Sequence, residues 1–321
     1  MSTILERQNN TIVSVVIPVF RNSGTLVKLH SEITSTALHN FPQLTLEIIF
    51  IDDGSDDNSW DIIIELVNKD PQHVSAHKLS RNFGQLSAML AGYQRANGNC
   101  LISISADLQD PPNLIGEMVN RWLQGDDIVI ANRKSRDDGF LAKITSWIAY
   151  SIARRFTPGL PKGGFDYFLM SRTAIDLLLK FKGRFRFIQG DLLWLGLPTS
   201  FIPYDREKRL LGVSGYSMSK RFSNFLNLVL DGSQSLIKVM TKFGLLVIFF
   251  GFLYLISIVY TWWTGGTPFE GWAPIMVAIL VLNGILLIML GILGSYLWRI
   301  YDLIRERPMN VILSSEIPKK Q

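Results

Sequence analysis

Three short polar clusters hold the residues of this chain best suited to chemistry: Asp52-Asp53-Gly54-Ser55-Asp56-Asp57, Arg81-Asn82-Phe83-Gly84 and Ser105-Ala106-Asp107-Leu108-Gln109-Asp110-Pro111-Pro112. Each follows an apolar run. Carboxylates gathered in this way, with few cations close in sequence, suit a hard divalent cation bridging a diphosphate. Acidic turns also cap helices, and that accounts for Asp56 and Ser59. It does not account for Asp107, which stands directly after an apolar stretch. The four histidines, His30, His39, His73 and His77, lack metal-ligand spacing and read as surface residues. Cys100 is the only cysteine, so no intrachain disulfide forms, in keeping with a reducing compartment. No glycine-rich dinucleotide fingerprint follows the first apolar run and no Walker-type phosphate loop occurs, which removes most support for redox or ATPase chemistry.

The elements that must position these clusters are legible around them. Residues 13–19, 47–51, 74–79, 101–105 and 128–131 read as buried strands, and residues 25–38, 58–68, 84–96 and 112–123 as the helices between them. Continuous apolar strands alternating with helices predict an α/β domain whose parallel sheet is covered on both faces. In such sheets ligands bind beyond the carboxyl ends of the strands, which is where all three clusters fall.

The rest of the chain answers to a different solvent. Charged residues make up 18% of the sequence, below the roughly 25% of soluble domains, while 48% is hydrophobic. Between Lys242 and Arg299 the only charged residue is Glu270. Residues 243–263 and 272–298 are each long enough to cross about 30 Å of hydrocarbon at about 1.5 Å per residue. Between them lies a breaker-rich turn from Thr264 to Gly271, and Trp262, Trp263, Trp272 and Trp298 fall at the expected interfaces. This predicts a transmembrane hairpin. Lys and Arg flank both outer ends (Lys238 and Lys242; Arg299, Arg305 and Arg307) and are missing from the turn, which places both termini in the cytoplasm. The polar first ten residues lack a signal-peptide pattern, so the first domain is expected to remain there. Apolar positions recur at helical spacing from Phe222 to Met240 and again from Ile144 to Ile152. The first is expected to lie in the membrane interface; the second fits an interfacial or a core-facing helix equally. The expected boundaries are a cytoplasmic domain over 1–218, a juxtamembrane helix over 219–242, two spans over 243–299 and a tail over 300–321. The net charge of +5 favours an anionic partner, but no nucleic-acid module is visible and the basic residues cluster beside the spans.

Taken in order, Val16-Ile17-Pro18-Val19-Phe20-Arg21-Asn22, Ile51-Asp52-Asp53-Gly54-Ser55 and Ala106-Asp107-Leu108-Gln109-Asp110-Pro111-Pro112 resemble the inverting glycosyltransferases with the A-type nucleotide-sugar fold. Within that family the chain most resembles the polyprenyl-phosphate glycosyltransferases, which include bactoprenol glucosyltransferases and dolichol-phosphate mannose synthase. The likeness continues through Asn132-Arg133, Arg136, Gly164 to Phe168, Gln189-Gly190-Asp191, Arg209 to Tyr216 and the two-span C-terminus, nearly the whole chain. The aspartate motifs alone are moderately specific; their order together with the hairpin is highly specific.

The resemblance implies roles. Pro18, Asp52 and Asp53 would line the nucleoside pocket, and Asp107 with Gln109 would hold Mg2+ or Mn2+ on the donor diphosphate. Arg209 and Ser214 would belong to a loop closing over phosphates. Arg133 and Arg136 would meet the donor diphosphate or the lipid phosphate, since an arginine fork suits both. Asp166, then Asp191, are the candidates to place the sugar or accept a residual proton. One departure stands out: the family carries Asp-x-Asp before Leu-Gln, whereas this chain has Ser105 at the first position. The expectation is that Asp107 suffices, with the diphosphate supplying further ligands. The implied reaction is transfer of a hexose, glucose from UDP-glucose first among the options, to polyprenyl phosphate with inversion. Mannose, N-acetylglucosamine, galactose and aminoarabinose donors stay open, as do a non-catalytic sugar-nucleotide sensor and assembly into a homo-oligomer.

Overall fold

The computed structural model describes residues 11–40, 43–133, 154, 157–161, 164–184, 186–206, 235–264 and 273–317. Its centre is an eight-stranded sheet in the order β7-β5-β6-β4-β1-β2-β3-β8. Strands β1 (Ile12–Val19), β2 (Thr45–Asp52), β3 (Val74–Leu79) and β4 (Cys100–Ser103) form the expected parallel run. The sheet is mixed rather than wholly parallel. β6 (Tyr167–Ser171) lies antiparallel between β4 and β5 (Ile128–Arg133), β7 (Thr199–Tyr204) pairs parallel to β5, and β8 (Ile312–Glu316) runs antiparallel along β3. Because β6 is antiparallel, its first residues share the sheet edge at which the parallel strands end.

Alternation along each strand feeds two cores, as a two-residue period must. Val15, Ile17, Ile48 and Phe50 enter one, with α1 (Leu26–Asn40), α2 (Ser59–Lys69) and α4 (Ile115–Leu123) packed on that face. Val16, Ile49 and Ile51 enter the other, covered by α3 (Gln85–Tyr93), α5 (Arg172–Leu179) and α6 (Ile188–Trp194). Helix α3 crosses the sheet closely enough to require glycine at 92, where a Cβ would stand 2.3 Å from Val16 Cγ1.

Two long helices follow, α7 (Ser235–Trp263) and α8 (Ala273–Ile304). Within them Lys242–Thr261 and Leu282–Ile304 are long and apolar enough to cross a membrane, and neither window is buried against protein. Residues 235–242 of the expected juxtamembrane segment are continuous with α7; residues 219–234 and 144–152 lie outside the described residues.

Strand β8 has a consequence for His77. The sequence places that histidine at the surface, but in the fold it is 3% exposed, with Nδ1 2.8 Å from Ser315 Oγ across the β3–β8 pair. Burial, helped by the Arg95 charge and opposed by Glu47, lowers its pKa to about 4. The unfolded histidine titrates near 6.5, so between these values the unfolded chain takes a proton that the fold refuses. The contribution is complete above pH 6.5 and is lost as pH falls towards 4. Melting midpoints of full-length protein should therefore fall less between pH 7 and 4.5 in His77→Gln than in wild type. A difference of a few degrees corresponds to roughly 1 kcal/mol in a domain of this size; parallel curves would remove His77 as the cause.

Candidate active site

The strand ends expected to bind ligand converge on one edge. The first segment, after β1, is tied to the β2–α2 turn: Arg21 grips Asp56 through Nε and Nη2, both at 2.6 Å, and the Asn22 amide donates to Ser59 Oγ at 2.9 Å. Arg21 is held at φ 56°, unusual for a residue with a side chain. Pro18 lies half-buried on β1 beside Ile51, one position from the Val19–Asp52 pair.

Asp52 is fully buried and receives the Ser55 amide at 3.2 Å; desolvation pushes its carboxyl above the ordinary range, with Ser55 and Lys78 pulling the other way. Asp53, 3% exposed, receives the amides of Phe83 and Gly84 at 2.7 and 2.9 Å. It fastens the β2 turn to the β3–α3 loop. The same seam requires Gly54: φ is 69°, and a Cβ there would stand 2.6 Å from the Arg81 carbonyl carbon. Both aspartates thus shape the walls beside β2 through backbone amides.

The third cluster is the most densely wired. Ser105 Oγ lies 2.9 Å from Asp107 Oδ1 and 2.6 Å from Asp110 Oδ2. Asp110 is fully buried, and its other oxygen accepts the Tyr204 hydroxyl at 2.5 Å, with Arg206 Nε at 4.0 Å. Asp107 Oδ1 also receives the Gln109 amide at 3.2 Å. Leu108, at φ 58°, makes the turn that brings Asp107 and Asp110 to one serine, and the Thr25 hydroxyl at the head of α1 holds the Ala106 carbonyl at 2.5 Å. A left-handed leucine costs on the order of 1 kcal/mol or more, so the surrounding contacts must hold this turn in place.

From Asp110 the network continues through Tyr204 to β5. Arg133 Nε is 3.5 Å from the Tyr204 hydroxyl, and Nη2 is 3.0 Å from Asp166 Oδ2. Burial opposes the guanidinium charge, but Asp166 and Tyr204 outweigh it and hold the proton more firmly than water does. Tyr204, buried and facing Asp110, has its hydroxyl pKa pushed well above normal, so it remains a donor. Asp166 is 49% exposed and also receives Gln189 Nε2 from α6 at 3.3 Å. Among the described residues, the buried Asn132 Oδ1 and Gln189 Oε1 have no hydrogen-bond partner.

Of the expected site residues, the structure wires Asp107, Gln109, Arg133 and Asp166 into this region. Asp191 is engaged differently: its carboxylate accepts Arg186 Nε at 2.7 Å, and Arg186 also donates to the carbonyls of Phe181 and Leu178. Burial raises the Asp191 pKa, opposed by Arg186. Arg136, Arg209 and Ser214 lie outside the described residues. Asp110 and Tyr204 carry the network, yet the sequence reading gave neither a role. Asp110 is visible inside its motif; Tyr204, in the mixed stretch Thr199–Tyr204, gives no signal.

A cation here would find few protein ligands. Among the described residues no three His, Cys, Asp or Glu side chains group to hold a metal ion. Asp107 with its serine neighbour supplies hard oxygen donors, which fits Mg2+ or Mn2+ when most of the coordination comes from a diphosphate and water.

An A-type sheet with acidic turns at its carboxyl edge, and beside them a buried Arg133 side chain paired with a half-exposed Asp166, fits a nucleotide-sugar transferase site. Residues 14–178 match the family model described as glycosyl transferase family 2, and the chain belongs to that family of glycosyltransferases. It is 34% identical over 301 residues to an uncharacterized glycosyltransferase of Synechocystis, covering 93% of this chain and 94% of that one. It is 33% identical over 309 residues to a prophage-derived bactoprenol glucosyl transferase of Shigella flexneri, covering 94% and 98%. Among solved structures, glucosyl-3-phosphoglycerate synthase from Mycobacterium tuberculosis with phosphoglyceric acid shares the fold at a TM-score of 0.51 and 15% identity, over 71% of this chain and 83% of that one. The same enzyme in complex with Mn2+ and UDP-glucose aligns at 0.50 and 15%, over 71% and 82%.

Proposed function

We propose that this protein transfers a hexose, glucose from UDP-glucose, to polyprenyl phosphate at the cytoplasmic face of the inner membrane, with inversion at the anomeric carbon. The observation that carries this reading is likeness to a bactoprenol glucosyl transferase over 94% of the chain, through the apolar helices as well as the sheet domain. The fold adds support for UDP-glucose and a divalent cation, both held by the mycobacterial synthase.

The acceptor is a phosphate monoester with a second pKa near 6, already an anion at neutral pH. The protein's task is then to bring two anions together and to stabilise charge on the departing diphosphate. A divalent cation at Asp107 and Gln109 supplies Lewis-acid stabilisation of that diphosphate when bound. Arg133, preorganised by Tyr204 and Asp166, presents a fixed positive charge, and Arg136 and Arg209 are proposed to add two more. Asp166 is proposed to orient the sugar or take a residual proton. Pro18, Asp52 and Asp53 frame the nucleoside side, and Ser214 belongs to the loop proposed to close over the phosphates.

In this reading α7 and α8 form a membrane hairpin. Strand β8 returns the chain to the sheet after α8, so the end of α8 lies on the domain's side of the bilayer. Arg299, Arg305 and Arg307 crowd that end, as the positive-inside rule requires of a cytoplasmic face.

The direct test offers detergent-solubilised protein undecaprenyl phosphate with a panel of UDP- and GDP-sugars, with and without Mg2+ or Mn2+. The expected product is a glucosyl lipid formed from UDP-glucose with the cation present. Product from another donor alone would replace glucose. Metal-dependent nucleotide binding with no product from any donor would favour a sensor.

A further inference from the structure

One surface of the sheet domain is built like a membrane seat. Trp194, the last residue of α6, is 76% exposed, and its ring meets Phe181 edge-on at 5.3 Å. Tryptophan joins a large apolar ring to a polar N–H, which suits a boundary between water and an apolar phase.

The loop after α5 shows where this pair lies. Lys182 Nζ is 3.4 Å from Glu306 Oε1, Arg184 Nη2 donates to the Pro308 carbonyl at 3.2 Å, and a Cβ on Gly183 would stand 3.4 Å from Leu303 Cδ2. Phe181 therefore begins a loop seated on the last turn of α8, where the apolar window Leu282–Ile304 ends. At that level a bilayer presents its headgroups, the layer in which tryptophan is best accommodated. The chain around it is basic: Lys180, Lys182 and Arg184 on the loop, with Arg299, Arg305 and Arg307 at the helix end, against Asp302 and Glu306.

The geometry points to the Phe181–Trp194 shelf as a docking surface for anionic phospholipid headgroups. This inference rests on the reading of α7 and α8 as a membrane hairpin. The shelf is coupled to the site by a single short element. Helix α6 is seven residues long, about 10 Å at 1.5 Å per residue, with Trp194 at one end and Gln189, the partner of Asp166, near the other. Seating Trp194 in the headgroup layer thus fixes the orientation of the sheet edge relative to the surface that delivers the acceptor phosphate. A second copy of the chain is the competing occupant. The loop's continuity with the end of α8 and its run of lysine and arginine favour lipid.

The test uses full-length protein in nanodiscs of phosphatidylglycerol and phosphatidylcholine brominated high on the acyl chain, with tryptophan quenching as readout. The chain has eight tryptophans, four of them (Trp262, Trp263, Trp272 and Trp298) in or beside the apolar helices. These should be quenched in wild type and in Trp194→Phe alike; no quenching in either protein would overturn the hairpin reading itself. Given that signal, a quenched amplitude lower in Trp194→Phe than in wild type places Trp194 at the headgroups. Equal quenched amplitudes in the two proteins, with the loss confined to unquenched emission, would overturn the docking surface and leave Trp194 to water or a second copy. The Trp194 share should also shrink in discs of phosphatidylcholine alone and in the combined Lys180→Gln, Lys182→Gln, Arg184→Gln variant. An undiminished share in both would overturn the assignment to anionic headgroups.

Discussion

Replacing Asp107 with asparagine is expected to lower kcat/KM for sugar transfer by about three orders of magnitude, with little change in melting temperature. Removing a preorganised electrostatic contact from a developing charge costs about 10²–10³ in rate, and a metal-assisted leaving group adds to that demand. Asp107 is the carboxylate expected to meet the cation at this strand end; Asp110 is fully buried and committed to Tyr204 and Ser105. Asparagine keeps the size and one acceptor oxygen, so the turn at Leu108 should persist. Ser105 permits a graded comparison. A hydroxyl has one hydrogen, yet Ser105 Oγ faces carboxylate oxygens on both sides, and the shorter contact is to Asp110. Ser105→Ala removes a neighbour that orients Asp107 but not the carboxylate itself, so metal affinity should fall about 10–100-fold, as for other supporting contacts of metal ligands. Mn2+ binding measured by electron paramagnetic resonance, beside turnover, checks the order. Equal losses in both variants would make the serine a ligand of the same rank. Wild-type turnover in Asp107→Asn would move the site elsewhere.

Much of the sheet was legible because its strands are buried on both faces and therefore read as unbroken apolar runs. Residues 74–79 were bounded to the residue, and β1, β2 and β5 to within two. What was missed has a physical pattern. β6 lies in a segment marked only by its aspartate and aromatics, and five residues do not reveal their direction in a sheet. β8 is an edge strand of two apolar residues followed by three polar ones, without the alternation that marks a half-buried strand, in a stretch read as a tail. The surface reading of His77 failed with β8, since its partner Ser315 lies on that strand. The site divides along the same line. Residues in turns directly after strands announce themselves, because polar groups there interrupt an apolar run. Tyr204 and the pairing of Arg133 with Asp166 depend on β5, β6 and β7 lying side by side, which no local pattern encodes.

That adjacency separates the two acidic candidates, and their variants should fail in different ways. Asp166 is 49% exposed and its partners, Arg133 and Gln189, stand at the sheet edge. Asp166→Asn should therefore cost about 10² in kcat while donor affinity and melting temperature change little, a loss at the low end for acid–base residues because the proposed acceptor, a phosphate, is already anionic. Asp191 stands against Arg186, whose side chain is only 6% exposed and which also holds two carbonyls near the end of α5. Asp191→Ala strands that guanidinium, and breaking a buried pair from one side costs about 3 kcal/mol. The melting midpoint should drop by several degrees while the folded fraction keeps most of its kcat/KM. Thermal unfolding and turnover measured on the same preparations decide between the roles. A Asp191 variant that melts normally but does not turn over would exchange the assignments. A Asp166 variant with normal kcat would leave the phosphate acceptor to react without help from either carboxylate.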